Sequence, residues 1–244
     1  MYERKLSVTN ALIIINVVVF LVGILVQREA LLGILYPQAP FTSIFEITCA
    51  YSWFTCFLEG GLWRLITYQF VHANFGHILF NMWALYFFGP AVENTMGPRR
   101  FLAFYLVCGV AGALFSSLLA GLNLYTSIAP TVQNTLICNQ IAAFAGFEGQ
   151  VECWEMIPLV GASASIYGVI VACAFMYPDV TISLLIPPVT LRLRTFAVII
   201  IALASATILF NLTNAGGEAG HLGGVLMGAL IMMIWKYRIT RYNR

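Results

Sequence analysis

Five polar side chains in an otherwise apolar chain are of the types that catalyse attack on a carbonyl group. They are Ser163, Tyr167, His77, Asn81 and His221. A serine hydroxyl becomes a good nucleophile when a base removes its proton, and neutral histidine, with a pKa of about 6.5, suits that role. His77 and Asn81 are four residues apart, so on a helix both can donate hydrogen bonds to one oxyanion. The pattern predicts a serine nucleophile, a histidine base and oxyanion donors.

An acidic third partner for the histidine is not expected. The single aspartate of the sequence, Asp179, follows the fourth apolar segment and is predicted on the opposite side of the membrane from Ser163. Glu218 precedes His221 by three residues, where it can tune the imidazole, but we interpret it as a solvated carboxylate at the rim of the site. The prediction is therefore a Ser163–His221 dyad.

A haem or metal site built from His72, His77 and His221 is the alternative chemistry for these side chains. Transition-metal sites generally need more convergent ligands at defined spacing, so we expect neither a metal nor another cofactor. His72 is interpreted as a structural histidine of its loop. Ser165 is interpreted as a helix cap or as a hydroxyl bonded to its own helix.

The elements that must position these groups are apolar segments that cross a lipid bilayer. Hydrophobic residues make up 61% of the chain and charged residues 9%, whereas a water-soluble domain carries roughly 25% charged residues. Six segments have about the length that spans a bilayer; they are residues 8–26, 75–92, 101–122, 161–177, 196–211 and 220–237. We expect an all-α bundle of six transmembrane helices that forms one membrane domain, residues 1–244.

The distribution of lysine and arginine predicts how the bundle is oriented. Ten of the twelve basic residues flank the start of the first segment, the end of the second, the start of the fifth and the end of the sixth. In a six-span topology these places share one side of the membrane, and basic loops face the cytoplasm. Both termini are therefore expected in the cytoplasm, with Ser163, His221 and His77 near the external ends of their helices.

Rows of small residues predict how Ser163 and His221 meet. On the sixth segment, Gly224 and Gly228 share a helix face with His221. The fourth segment carries a complementary row, Ala164, Gly168 and Ala172. Such rows let two membrane helices approach closely. Their contact is expected to bring the start of the Ser163 helix beside the start of the His221 helix.

Four of the six cysteines fall in the predicted external segments, as the pairs Cys49/Cys56 and Cys138/Cys153. Two disulfides in an oxidising exterior and four free thiols both fit this spacing.

Three groups of residues together resemble the rhomboid family of intramembrane proteases. The first is Trp63-Arg64, Phe70-Val71-His72, His77 with Asn81, Gly89 to Glu93, and Gly97; the second is Gly161-Ala162-Ser163-Ala164 with Tyr167-Gly168; the third is Gly220-His221 with Gly224 and Gly228. They occur in order over most of the chain, from Trp63 to Gly228. Each group alone is weak, and the three together are specific.

The resemblance implies a six-helix serine endopeptidase that cleaves transmembrane segments of single-span or multi-span membrane proteins, in contact with lipid and not with nucleic acid. It implies Ser163 as nucleophile, His221 as base, His77 and Asn81 as oxyanion donors, and Tyr167 as a ring stacked on His221. Further expected roles are structural, for Trp63 and Arg64 in the external loop, Glu93 in a hydrogen-bonded cluster, and Gly224 and Gly228 in helix packing.

Ala164 departs from the family pattern, which has glycine after the nucleophile, and its methyl group is expected to crowd the oxyanion site. The alternative function is a catalytically silent relative that binds membrane-protein clients; the intact Ser163 and His221 argue against it. The lack of a presequence or a seventh span favours a bacterial inner membrane as the location.

Overall fold

The computed structural model describes residues 6–25, 48–125, 139–140, 143, 153–156, 158–183, 188–212 and 214–242. Within these ranges six helices of fourteen residues or more form the bundle. They are α1 (Val8–Leu25), α2 (Phe75–Met96), α3 (Pro98–Gly121), α4 (Ser163–Met176), α5 (Leu193–Leu209) and α6 (Ala215–Tyr242). Single helical turns at Phe54–Leu58, Arg64–Thr67, Tyr68–Phe70 and Cys153–Met156 lie in the long connections.

Four of these helices, α1, α2, α3 and α6, are long and apolar enough to cross a membrane. The other two, α4 and α5, are apolar but shorter, with 14 and 17 residues. The helical bundle agrees with the predicted fold class. The crossing of all six helices and the side on which the termini lie stay predictions.

Several helices extend beyond the predicted segments. Helix α2 continues past residue 92 to Met96, α3 begins at Pro98 rather than at residue 101, and α6 begins at Ala215 rather than at residue 220. Hydropathy marks the length of chain that is apolar, whereas helix ends are set by backbone hydrogen bonds and caps. The ends of a helix can therefore carry polar residues that a hydropathy segment leaves out.

The turn between α2 and α3 is built from a glycine and a proline. Gly97 ends α2 with a φ of +83°, which favours glycine, and its amide donates to the Glu93 carbonyl. Pro98 then occupies the first position of α3, where a missing N–H leaves no hydrogen bond unmade. These two residues form the tight turn that reverses the chain between α2 and α3.

Glu93 joins α1 to α2. Its carboxylate accepts hydrogen bonds from the Val8 amide at 2.7 Å, the Thr9 amide at 2.8 Å and the Thr9 hydroxyl at 2.6 Å. These are amides of the first turn of α1, which have no partner within the helix and lie at its positive end. A carboxylate that is only 6% exposed is therefore satisfied by the helix that it caps.

The centre of the bundle is the contact of α6 with α3, α4 and α5. Helix α4 is the most enclosed, since nine of its fourteen residues are buried. A Cβ on Gly224 would overlap the carbonyl oxygen of Ala164, and one on Gly228 would lie 2.9 Å from the Gly168 Cα. The backbones of α4 and α6 thus touch along the face that carries these glycines.

A short antiparallel hairpin, β1 (Thr181–Ser183) with β2 (Thr190–Arg192), connects α4 to α5. The sequence prediction of an all-helical chain did not include it. Asp179 lies beside this hairpin. Its Oδ1 is 3.6 Å from Arg192 Nη1 and 3.4 Å from Arg194 Nη2, and all three side chains are exposed. Exposed ion pairs of this kind add little stability.

Cys49 and Cys56 are free thiols, so the first of the two possible disulfides is not formed. Burial raises the pKa of the Cys56 thiol above its ordinary value and keeps it protonated. Cys138, half of the second pair, lies outside the described residues.

Replacing Gly224 with alanine is expected to destabilise the protein by about 1–3 kcal/mol, because the added methyl group meets backbone that cannot rotate away. Gly220→Ala is the matched control on the same helix, since its nearest neighbour would be the Gly112 carbonyl oxygen at 3.8 Å. Melting temperatures of both variants in one detergent make the comparison. A Gly224→Ala protein that melts together with Gly220→Ala would contradict the close contact of α4 and α6.

Candidate active site

Ser163 is the first residue of α4, and the chain enters it through a strained glycine. Gly161 has a φ of +115°, a conformation that side chains rarely adopt. A Cβ at this position would also lie 2.6 Å from the His77 ring atoms Cε1 and Nε2. Glycine is therefore required here both for the backbone turn and for the space beside His77.

The loop between α1 and α2, described from residue 48 onward, holds the segment that leads into Ser163. Tyr51 and Leu159 exchange two backbone hydrogen bonds, of 3.0 and 2.7 Å, and the Gly161 amide donates to the Tyr68 carbonyl at 2.9 Å. The loop is itself held by side chains, because Trp63 Nε1 donates to the Thr48 carbonyl and Arg64 Nη1 to the Ala50 carbonyl. Trp63 and Arg64 thus hold the segment before Tyr51, the residue that pairs with Leu159 on the approach to the serine.

The Ser163 hydroxyl lies against the imidazole of His221. The distance from Ser163 Oγ to His221 Nε2 is 2.7 Å, which is a hydrogen bond between the first turn of α4 and the first turns of α6. It follows from the backbone contact at Gly224, one turn along α6 from the histidine. Without that contact, the serine and the histidine, which lie on separate helices, would be too far apart to form a hydrogen bond.

The ring of Tyr167 stacks on the ring of His221. The two ring centroids are 4.1 Å apart and the planes differ by 11°. Tyr167 lies one turn after Ser163 on α4, so the same helix presents both the hydroxyl and the ring. The stacking restricts the imidazole to one plane.

Glu218 contacts the other ring nitrogen of His221. Its Oε2 lies 2.8 Å from His221 Nδ1, and the two side chains are 21% and 13% exposed. The interpretation of Glu218 as a solvated carboxylate at the rim is therefore wrong. The reason is the early start of α6 at Ala215, which puts Glu218 inside the helix and on the same face as His221.

Hydrogen-bond donors line the opposite side of the site on α2. The Asn81 side chain is 7% exposed, and its buried Nδ2 has no hydrogen-bond partner among the described residues. His77 lies one turn earlier, and the Asn74 side chain caps the helix by accepting from the His77 amide at 2.9 Å. A buried donor without an acceptor costs free energy, so Asn81 Nδ2 is suited to an acceptor that arrives from outside.

His72 supports the backbone next to Ser163. Its Nε2 accepts a long hydrogen bond of 3.5 Å from the Ala162 amide, and its ring meets the His77 ring edge-on at 5.0 Å. The pKa of His72 is lowered to about 3, mainly by burial and to a smaller extent by the neighbouring His77. His72 is therefore neutral in the folded protein at ordinary pH, which leaves Nε2 free to accept.

Ser165 and Gln69 form a buried pair behind the site. The Ser165 hydroxyl donates to Gln69 Oε1 at 2.9 Å, and Gln69 Nε2 donates to the carbonyls of Leu65 and Leu106. The interpretation of Ser165 as a helix cap or a self-bonded hydroxyl is wrong. The serine joins α4 to the loop between α1 and α2, because Gln69 is fully buried and needs partners for both of its polar atoms.

The methyl group of Ala164 lies against α3. A Cβ on Gly112 would lie 2.5 Å from the Ala164 Cβ and 2.7 Å from the Gly220 carbonyl oxygen. The glycine at position 112 thus makes room for the alanine that follows Ser163. The expected crowding of the oxyanion site by Ala164 stays a prediction.

The described residues contain no group of three or more His, Cys, Asp or Glu side chains placed to hold a metal ion. Sequence reasoning weighed a contact of Glu218 with His221 and set it aside, and it did not foresee the contacts of Gln69. Glu218 carried a signal, its spacing of three residues from His221. For Gln69 the only signal in the sequence was its polarity, because its partners come from α3 and α4.

A model of the Rhomboid domain matches residues 59–238, which include α2 to α5 and most of α6. The chain belongs to the rhomboid family. Together with its apolar helices, membership makes this rhomboid protein an integral membrane protein. Helix α1 precedes the matched region and is attached to it through Glu93.

Relatives with curated descriptions include proteases and an inactive protein. The rhomboid protein is 28% identical to the rhomboid protease AarA of Providencia stuartii over 185 residues, which are 73% of this chain and 57% of AarA. It is 27% identical to the rhomboid protease GluP of Bacillus subtilis over 173 residues, 71% of this chain and 27% of GluP. A shorter match, 30% over 79 residues, joins 32% of the chain to 22% of the inactive RHOMBOID-like protein 8 of Arabidopsis thaliana. The chain spans about half the length, or less, of these relatives.

The neutral state of His72 predicts an acid-labile fold. Its pKa falls from 6.5 to about 3 on folding, so between these values the unfolded chain binds more protons than the folded one. The stability that depends on neutral His72 is complete above pH 6.5 and is lost as the pH falls below it. Melting temperatures of the wild type in detergent should therefore decrease as the pH is lowered through this window.

A His72→Gln variant isolates this effect, because glutamine accepts from the Ala162 amide without titrating. The slope of melting temperature against pH should be smaller in the variant, while other acidic groups contribute equally to both proteins. Equal slopes would contradict the buried neutral state of His72.

Proposed function

We propose that this rhomboid protein is an active intramembrane serine endopeptidase with Ser163 as nucleophile and His221 as general base. The observation that carries the proposal is the 2.7 Å contact between Ser163 Oγ and His221 Nε2. Family relatives described as rhomboid proteases support the reaction class. The inactive relative shows that membership alone does not decide activity, so the proposal rests on the serine–histidine contact.

In the proposed reaction, Ser163 Oγ attacks the carbonyl carbon of a peptide bond while His221 Nε2 takes the hydroxyl proton. The oxygen of the tetrahedral intermediate accepts hydrogen bonds from Asn81, His77 and the Ser163 amide at the start of α4. Protonated His221 then gives its proton to the leaving amine, and the carbonyl remains bound to Ser163 as an ester. A water molecule, deprotonated by His221, attacks that ester; the bond to Ser163 Oγ breaks, His221 returns the proton to this oxygen, and the new carboxyl terminus is released.

The proposed substrates are transmembrane segments of other membrane proteins. Exposed apolar side chains cover α2, among them Phe80, Trp83 and Phe87, so a substrate reaches the bundle through lipid. The proposed topology has six spans, cytoplasmic termini and Ser163 at the external end of α4. The proposed location is a bacterial plasma membrane, in keeping with the two bacterial relatives.

The direct test is cleavage of a single-span substrate by the protein reconstituted in liposomes. Ser163→Ala and His221→Ala should reduce cleavage to the background rate, because the first removes the nucleophile that forms the ester and the second removes the base that takes its proton. Labelling by a fluorophosphonate probe should also disappear in Ser163→Ala. Ser205→Ala is the matched control, since among the described residues this hydroxyl of α5 bonds only to the Ile201 carbonyl of its own helix.

Cleavage that persists in folded Ser163→Ala would overturn the assignment of the nucleophile. Ser165→Ala then tests the other serine of α4.

Asn81→Ala should lower kcat by about 10²–10³-fold, because it removes one donor to the oxyanion. KM should change little, since the donor acts on charge that develops only in the transition state. The stability of the fold should be kept, because Asn81 Nδ2 has no partner to lose among the described residues. Asn10→Ala on the exposed face of α1 is the control. A rise in KM with unchanged kcat would assign Asn81 to substrate binding instead.

A further inference from the structure

The carboxylate of Glu218 is a feature that a serine–histidine dyad does not use. Its Oε2 lies 2.8 Å from His221 Nδ1, on the side of the ring opposite Ser163. We propose that Glu218 is a positioning residue of the active site, which holds His221 in the tautomer and orientation that accept the serine proton. The proposal rests on the proposed function, because it gives Glu218 a role in that reaction.

The position of the proton on the imidazole ring decides whether His221 can act as the base. A neutral histidine carries one proton, on either Nδ1 or Nε2, and the hydrogen bond of one nitrogen decides the state of the other. Nε2 can take a proton from Ser163 only when Nδ1 carries the ring proton. An ionised carboxylate has no proton to donate, so at 2.8 Å it can only accept from Nδ1–H. Glu218 therefore favours the tautomer that the base needs.

The same carboxylate acts on the charge that develops during the reaction. When Nε2 takes the serine proton, the ring becomes a cation. The other groups facing the ring are the Ser163 hydroxyl, the Tyr167 ring and, across the site, His77. None of these is anionic when the site is ready to react, so Glu218 is the group that stabilises the cation. The partial burial of both side chains limits screening by solvent and salt.

The first turn of α6 holds the Glu218 backbone in place. The Glu218 amide donates to the Asn214 carbonyl at 3.0 Å, and the Ser116 hydroxyl of α3 donates to the Gly216 carbonyl at 2.9 Å. Gly216 and Glu218 belong to the same turn, so α3 fixes its position. The positive end of the helix macrodipole also favours a carboxylate in this turn. Glu218 is thus held before any substrate binds.

Helix spacing connects the two residues directly. Residues three apart on a helix lie on one face, so Glu218 reaches His221 Nδ1 from the preceding turn of α6. Tyr167 fixes the plane of the ring from α4, whereas Glu218 fixes its rotation within that plane from α6. The two contacts together leave Nε2 directed at Ser163 Oγ.

The test compares Glu218→Gln and Glu218→Asp with the wild type in the liposome cleavage assay. Glutamine keeps the shape but removes the charge, and its amide can donate to Nδ1 as well as accept, so the preference for one tautomer is lost. We expect kcat to fall by about 10–100-fold in Glu218→Gln, with KM little changed, as for outer partners of other active-site histidines. Aspartate keeps the charge with a shorter reach and should recover part of kcat. Glu59→Gln, in the external loop, is the control for removing a carboxylate.

A second measurement reads the tautomer itself. The chain has three histidines, so nitrogen NMR of protein labelled with ¹⁵N-histidine gives few signals, and a His221→Ala spectrum assigns those of His221. The wild type should show the proton on Nδ1, and Glu218→Gln should show a mixture or the opposite tautomer. A carboxylate with only a structural role would lower stability without moving this signal.

The outcomes separate the two proposals. If Ser163→Ala is inactive while Glu218→Gln keeps both full kcat and the Nδ1 tautomer, the role of Glu218 is refuted and the proposed protease stands. If Ser163→Ala still cleaves, the proposed function fails whatever Glu218 does. A fall in kcat together with a changed tautomer supports the positioning role.

Discussion

The approach of two helix backbones at Gly224 is the constraint on which the rest of the site depends. Lipid gives little hydrophobic drive for helices to associate, so close contact must come from packing of small residues. Gly224 against Ala164, and Gly112 against the Ala164 methyl group, let three helices meet at one level. The 2.7 Å contact of Ser163 with His221 is set by this packing, one turn away.

Polar groups inside the bundle are satisfied in pairs that also join elements. Glu93 caps α1, Gln69 joins the loop between α1 and α2 to α3 and α4, and Glu218 contacts His221. A buried polar group without a partner is costly in a low-dielectric interior, so each pair also fixes the position of its helices. Asn81 Nδ2 is one of several buried polar atoms without a partner among the described residues, and it lies 3.6 Å from a Cβ built on Gly161, two residues before Ser163.

The sequence was sufficient for the helices and for the meeting of Ser163 with His221, because helix periodicity determines which residues share a face. It was insufficient for Glu218, since the predicted sixth segment began at residue 220 and left this carboxylate outside the helix. The partners of Ser165 and the position of the Ala164 methyl group depend on Gln69 and Gly112 of other elements. Contacts between distant elements are not encoded in local spacing. Cysteine spacing likewise gave no geometry, and Cys49 and Cys56 are free.

The short length of α4 has a consequence for water. Fourteen residues rise roughly 21 Å, whereas the hydrocarbon core is about 30 Å thick. The carboxyl end of α4 leads to the exposed ion pairs of Asp179 with Arg192 and Arg194, so it lies at the aqueous surface. If α4 crosses the bilayer as proposed, Ser163 at its other end lies below the opposite surface. In the proposed hydrolysis, each cleaved bond consumes one water molecule, and that water must reach Ser163 through this recess beside the polar side chains of Glu218, His221 and Asn81.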